Sequence, residues 1–153
     1  MREYLFRGKS RYGDKWVEGC LIHQGDYCCI LHTDVHPADE PYLDDDTGCI
    51  DGYATPVIPE SVGQYTGMKD KNGRKIFEGD IVNAIIYRCY GCSQQIRRET
   101  SIVGYDSFGV LGLKDKDGVW NDFMYELSLS GIIEDYSFEV IGTVFENSDL
   151  LEG

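Results

Sequence analysis

Cys89-Tyr90-Gly91-Cys92 is the pair of thiols in this chain best spaced to hold a metal. A C-x-x-C step can present two thiolates to one zinc ion, whose structural sites are closed by four ligands. Cys28, Cys29, His32 and His36 are the residues that would complete such a site, if the N-terminal strands come close. The spacing is not that of a standard finger, and there is no second C-x-x-C. The plainer reading is a hairpin tip with two free thiols, between strands over Ile81–Tyr87 and Thr100–Tyr105. Redox use fits less well. Thioredoxin-type chemistry sets C-x-x-C at a helix start after a strand, and glutamines and arginines follow here. Zinc, through Cys89 and Cys92, is the one cofactor the residues suggest.

Other candidates are weaker still. Asp44, Asp46 and a following glycine in "DDDTGCID" resemble a calcium loop, but the glycine comes one place early and the twelfth position is Thr55 rather than a bidentate glutamate. A solvated acidic loop explains the run. His23, His32 and His36 sit close in sequence. If His23 and His32 lie on facing strands they become neighbours, as surface or half-buried histidines commonly do. There is no G-x-S-x-G, no P-loop and no G-x-G-x-x-G. No catalytic residue can be named, and the chain reads as a non-enzyme. An enzyme would have to be metal-dependent, on Cys89, Cys92 and the His23–His36 cluster.

Charge narrows the partners. The 153 residues hold 14 Lys+Arg against 27 Asp+Glu, a net charge of −13. That disfavours a general nucleic-acid binder, which needs a basic surface to displace counterions, and docking on an anionic membrane. The start lacks an apolar signal-peptide core, and no run approaches a membrane span. The expected compartment is the cytoplasm, where the six cysteines stay reduced. The imbalance is uneven: Asp34–Glu60 holds eight acids and no Lys or Arg, whereas the Lys and Arg residues gather centrally. Lys69, Lys71, Arg74 and Lys75 form the candidate contact tip, with Arg88, Arg97 and Arg98 further on. Plain solvation of the surface is the competing account.

The elements that would position these groups are nearly all strands. Short segments rich in Tyr, Val, Ile, Phe and Trp, split by Gly, Asp and Asn, predict strands over Glu3–Arg7, Lys15–His23, Tyr27–His32, Gly63–Lys69, Lys75–Tyr87, Thr100–Tyr105, Val110–Leu113 and Phe138–Glu146. The last carries apolar residues on both faces, which predicts a central strand. A short helix is expected over Phe123–Leu129, and a final turn capped by Asn147 or Ser148. The proline- and acid-rich stretch from Asp34 to Pro59 reads as a long loop or arm, which can serve assembly. "GMKDKNG" (Gly67–Gly73) recurs as "GLKDKDG" (Gly112–Gly118). Asn-Gly and Asp-Gly are type I′ hairpin signals. In "KIFEGDIV", Ile76 and Phe77 enter the core, Gly79 turns the chain and Asp80 bonds nearby backbone N–H groups. The fold class is therefore all-β: an SH3-like small β-barrel over 61–153, preceded by an N-terminal β-hairpin and acidic arm over 1–60, or one continuous domain.

Three stretches carry a resemblance. "YLFRGKS" with "WVEGCLI", "IPESVGQYTGMKDKNGRKIFEGDIV", and "FEVIGTVFENSDLLEG" run in order along nearly the whole chain. Together they resemble the YopX family, proteins of bacteriophages and prophages of Gram-positive bacteria. The resemblance implies a mostly β fold, a phage or prophage origin and a place in the host cytoplasm. It implies no activity and no catalytic residues. The Cys89–Cys92 and Asp34–Thr55 segments lie between the matching stretches.

Taken together, these features predict an accessory protein that binds a macromolecule without catalysis. Eleven tyrosines on half-exposed strands suit a protein partner or self-association through the Asp34–Thr55 arm. The alternatives are a nucleic-acid module using the basic tip and a small zinc protein.

Overall fold

The computed structural model describes residues 4–25, 27–32, 54–90, 93–123 and 136–152, with side chains undescribed at 86–95, 121–123 and 136. Compactness divides the chain into two units, Met1–Tyr65 and Thr66–Gly153. Unit 1 contains β1 (Phe6–Lys9), β2 (Trp16–Gln24), β3 (Tyr27–His32), β4 (Ala54–Pro56), a 3-10 turn over Pro59–Ser61 and the start of β5 (Gly63–Lys69). The strands are ordered β4-β3-β2-β1-β5, each antiparallel to its neighbour. Alternation decides which side chains turn inward. Leu21 lies opposite Ile30, and Cys28, Ile30 and Val57 form a core with Phe6, Val17, Leu21 and Val62. Two joints hold this sheet to the 3-10 turn. The Lys9 N–H donates to the Ser61 hydroxyl at 2.8 Å, and the Lys9 carbonyl accepts the Ile58 N–H at 2.9 Å. Arg7, 6% exposed, stacks its guanidinium over Trp16 at 4.7 Å, which desolvates a cation at low cost.

Unit 2 holds the remainder of β5, which pairs with β6 (Lys75–Phe77), and a sheet ordered β10-β9-β8-β7-β11. Its strands are β7 (Asp80–Tyr90), β8 (Ser93–Tyr105), β9 (Leu111–Lys114), β10 (Trp120–Phe123) and β11 (Tyr136–Thr143), followed by a 3-10 turn over Ser148–Leu151. Ile76, Val82, Ala84, Val103, Leu113, Phe138 and Val140 build the core, with Met68 and Leu111 against it. The "FEGD" step behaves as expected. Gly79 adopts φ +80°, and its N–H and C=O bond Val103 and Val144. Asp80 is fully buried and accepts the Phe77 N–H at 2.8 Å.

The hairpin echo is real, but its turn is of another kind, and it occurs three times among the described residues. Asp70, Asp106 and Asp115 each accept two backbone N–H groups through Oδ1, from residues two and four places on, at 2.8–2.9 Å. The glycine three places on (Gly73, Gly109, Gly118) takes positive φ, and no non-glycine residue described does. A type I′ turn needs positive φ at both central residues, so Asn72 and Asp117 do not form one. The aspartate side chain instead builds a longer loop closed by one left-handed glycine.

Further corrections follow from where backbone bonds go. β4 occupies the end of the stretch read as a loop, adding to β3 through Ile30↔Thr55. β10 includes Phe123, where a helix was expected, and residues 124–129 of that helix lie outside the described residues. So do residues 34–53 of the acidic arm. β11 is a sheet edge rather than a central strand. Its second apolar face is explained by a bulge between Val140 and Gly142, which breaks the alternation. Its outer edge is taken by the Asp70 turn: Lys71 N–H donates to the Phe138 carbonyl at 2.9 Å, and Val140 N–H to Asp70 Oδ2 at 3.2 Å. No closed barrel forms among the described residues, because β10 and β11 are the two edges of the sheet and do not pair with each other.

Candidate functional site

β7 and β8 are the longest of the described strands, and they outrun their neighbours. They pair continuously from Ile81↔Ile102 to Tyr90↔Ser93. β11 accompanies β7 only over Asp80–Ile86, and β9 accompanies β8 only over Ile102–Tyr105. Among the described residues, Tyr87–Tyr90 and Ser93–Ile96 therefore form a two-stranded ribbon, and β8 keeps one unpaired edge from Ser93 to Ser101. Backbone parity identifies the groups on that edge. The Val103 carbonyl accepts from Gly79, toward β7, and Asp106 exchanges bonds with the turn toward β9. Odd residues of β8 thus bond β7. The N–H and C=O of Ile96, Arg98 and Thr100 point the other way, past the end of β9.

The ribbon also differs in charge. From Ile81 to Arg98 there are three arginines and no acid, so the other residues hold 11 bases against all 27 acids. Ile96 is 56% exposed, and Arg98 and Thr100 are exposed. The Thr100 hydroxyl donates to Asn83 Oδ1 at 3.1 Å, and Arg98 lies opposite Ile85. A cleft of about 530 Å³ runs beside them, lined by Asn83, Ile85, Arg98, Thr100 and Glu139 among others. On the inward side, Arg97 and Glu99 form a 2.7 Å ion pair. Nothing in the sequence pattern flagged this edge, because strand length relative to neighbours is not a local property.

The basic tip falls on the β5–β6 hairpin. Lys69 ends β5, Lys71 and Arg74 lie on the exposed turn, and Lys75 is half-buried at the start of β6. The turn gathers them, but Lys71 Nζ is paired with Glu139 Oε2 at 2.7 Å. Asp70 between them is buried. Burial alone would raise its carboxyl, but the N–H groups of Arg74, Val140 and Asn72, with the nearby Arg74 charge, outweigh that and hold it below the usual range.

The metal candidates do not converge among the described residues. Cys92 lies outside them, and Cys89 enters only through its backbone pairing with Gln94. His36 also lies outside. His23 pairs with Cys28 while His32 pairs with Gly19, so the two histidines sit at opposite ends of one hairpin, about 13 Å apart along the strand. His32 Nε2 is bonded to Thr55 Oγ1 at 2.8 Å. No group of three metal-ligating residues occurs among the described residues. Cys20, Cys28 and Cys29 form no disulfide, and the last two are buried. Burial and then neighbouring Cys29 push the Cys28 thiol up. Alkylation at neutral pH is thus expected at Cys20 and not at Cys28 or Cys29, as mapped by peptide mass spectrometry. Rapid modification of Cys28 in native protein would contradict this packing.

No helix among the described residues is long and apolar enough to cross a membrane. None of the curated proteins matches the chain. The family model described as YopX protein matches residues 6–152. The match takes in both units, from the start of β1 to the end of the last 3-10 turn, so the chain belongs to the YopX family.

Proposed function

We propose that this chain is a non-enzymatic accessory protein of a phage or prophage, working in the host cytoplasm by binding another protein. The observation that carries this reading is the β7–β8 ribbon. A two-stranded ribbon is marginal alone in water, and an uncovered edge is a hazard that proteins manage or use. A strand pair prolonged past its sheet, with Ile96 exposed at its base and Arg98 exposed just beyond it on β8, suits capture of a partner. Self-association is the first partnership to test.

The test removes the ribbon and spares the sheet. An Asn-Gly turn replaces Tyr87–Ile96, joining Ile86 to Arg97, which already face each other. The amide spectrum of unit 2 should persist, while cross-linking in phage-bearing cells and sedimentation should show the partner or oligomer lost. Undiminished association would overturn the proposal. A second reading, nucleic-acid binding, draws on the acid-free run holding Arg88, Arg97 and Arg98. It requires affinity that falls steeply with salt.

A further inference from the structure

Among the described residues no strand pairs with the outer edge of β8 at Ile96–Thr100, and that edge has both a chemistry and a direction. Ile96, Arg98 and Thr100 offer alternating backbone donors and acceptors toward the side β9 has vacated. This is the array an extended peptide satisfies when it adds as a new strand. Nucleic acid has no matching backbone periodicity, and arginine alone would serve it. The side chains then narrow the peptide. Arg98 is exposed and makes no ion pair among the described residues, whereas Arg97 is engaged by Glu99. No acid precedes Glu99 on β8. Ile96 and Thr100 flank Arg98 on the same face, two residues to either side, and the cleft lined by Asn83, Arg98, Thr100 and Glu139 gives that face relief. A partner strand with an acidic side chain opposite Arg98 and an apolar one near Ile96 meets each of these groups.

We infer that the β8 edge at Ile96–Thr100 docks an extended, acidic segment of a partner protein by strand addition. This rests on the protein-binding reading above and specifies its partner class. Cross-strand pairing supplies affinity through the backbone, and charge complementarity at Arg98 supplies selection. Glu139, across the face beside Asn83, is already held by Lys71, which removes one source of repulsion for an acidic strand.

The probe is a short capped peptide of alternating glutamate and valine, compared with its lysine–valine counterpart and a single-stranded oligonucleotide. Binding is followed on the full chain by amide exchange and chemical shift. In the free protein the amides of Ile96, Arg98 and Thr100 should exchange fast. The glutamate peptide should protect those three and leave Arg97 and Glu99, already bonded to β7, unchanged. Arg98→Glu should weaken this peptide about tenfold and reverse the preference toward lysine. Thr100→Pro removes an outward N–H, which an edge position tolerates, and should weaken both peptides. Slow exchange of all three amides in the free protein would overturn the inference, since the edge would then be covered by the chain itself. Protection by the oligonucleotide alone would overturn it in favour of phosphate. If no probe binds while ribbon removal still abolishes association, the acidic-strand inference fails and the protein-binding proposal stands.

Discussion

Gly19→Ala is expected to cost unit 1 about 3 kcal/mol or more, at the severe end for a single added methyl. A Cβ built on Gly19 lands on the Leu31 carbonyl oxygen, 2.8 Å from the carbonyl carbon and 3.0 Å from Ile30 Cγ2. The obstruction is backbone. Leu31 is paired with Cys20 and Ile30 with Leu21, so it can yield only if the β2–β3 ladder opens. Gly8 offers the contrast. Its added Cβ would meet Val57 Cβ and both its methyls at 3.0 Å, a tight contact that a shift of a few tenths of an ångström relieves, not an overlap with backbone. Urea unfolding followed at Trp16, in a Trp120→Phe background, should show Gly19→Ala far more damaging than Gly8→Ala. A loss at position 19 below about 1 kcal/mol would mean the two strands approach less closely than described.

Asp70→Ala should destabilise unit 2 by about 3–5 kcal/mol, since hydrogen bonds to a carboxylate exceed ordinary ones and their loss strands the donors. Asp70 accepts from Asn72, Arg74 and Val140. Two of these bonds shape the turn, and the third binds the turn to β11. Asp70→Asn separates the two tasks: the amide keeps one acceptor oxygen and cannot receive the Val140 N–H with its nitrogen. It should cost less than alanine. The pH dependence has a definite sign. The folded state holds this carboxyl below its ordinary value, so the unfolded chain binds the proton more readily. The contribution is complete above the ordinary aspartate range near about pH 4 and is lost as pH falls through the depressed folded value. Wild-type protein should therefore lose more stability than Asp70→Asn on acidification below about pH 5. Parallel acid limbs would show that Asp70 does not hold its charge in these bonds.

The sequence was legible where structure is local. β5 spans the expected Gly63–Lys69, and Gly79 and Asp80 take the roles their residue types suggest. The final turn begins at Ser148, although Asn147 uses its side-chain oxygen to accept the Thr143 N–H instead of capping. Legibility failed where a distant segment decides. Three-residue β4 becomes a strand only because β3 lies beside it. β11 reads as central because its bulge and the Asp70 turn put apolar contacts on both sides. In the Lys69–Lys75 stretch, attention to charge favours the lysines, whereas the buried aspartate among them both shapes the turn and ties it to β11. The β8 edge was hidden for the same reason: alternation predicts a strand, and only the lengths of β9 and β11 reveal which part of it is left over.

The three aspartate-closed turns also bear on how the protein ages. Asn72-Gly73 and Asp117-Gly118 are sequences that in a free chain cyclise to succinimides, because the glycine nitrogen attacks the preceding side-chain carbonyl. Here the Gly73 N–H is held by the Asp70 carbonyl at 2.9 Å and the Gly118 N–H by the Asp115 carbonyl at 3.1 Å. The attacking nitrogen is thus engaged in the turn's own hydrogen bond. The same bonds that fold these hairpins keep their most perishable peptide links chemically intact, so deamidation at Asn72 becomes a clock that runs only while the turn is open.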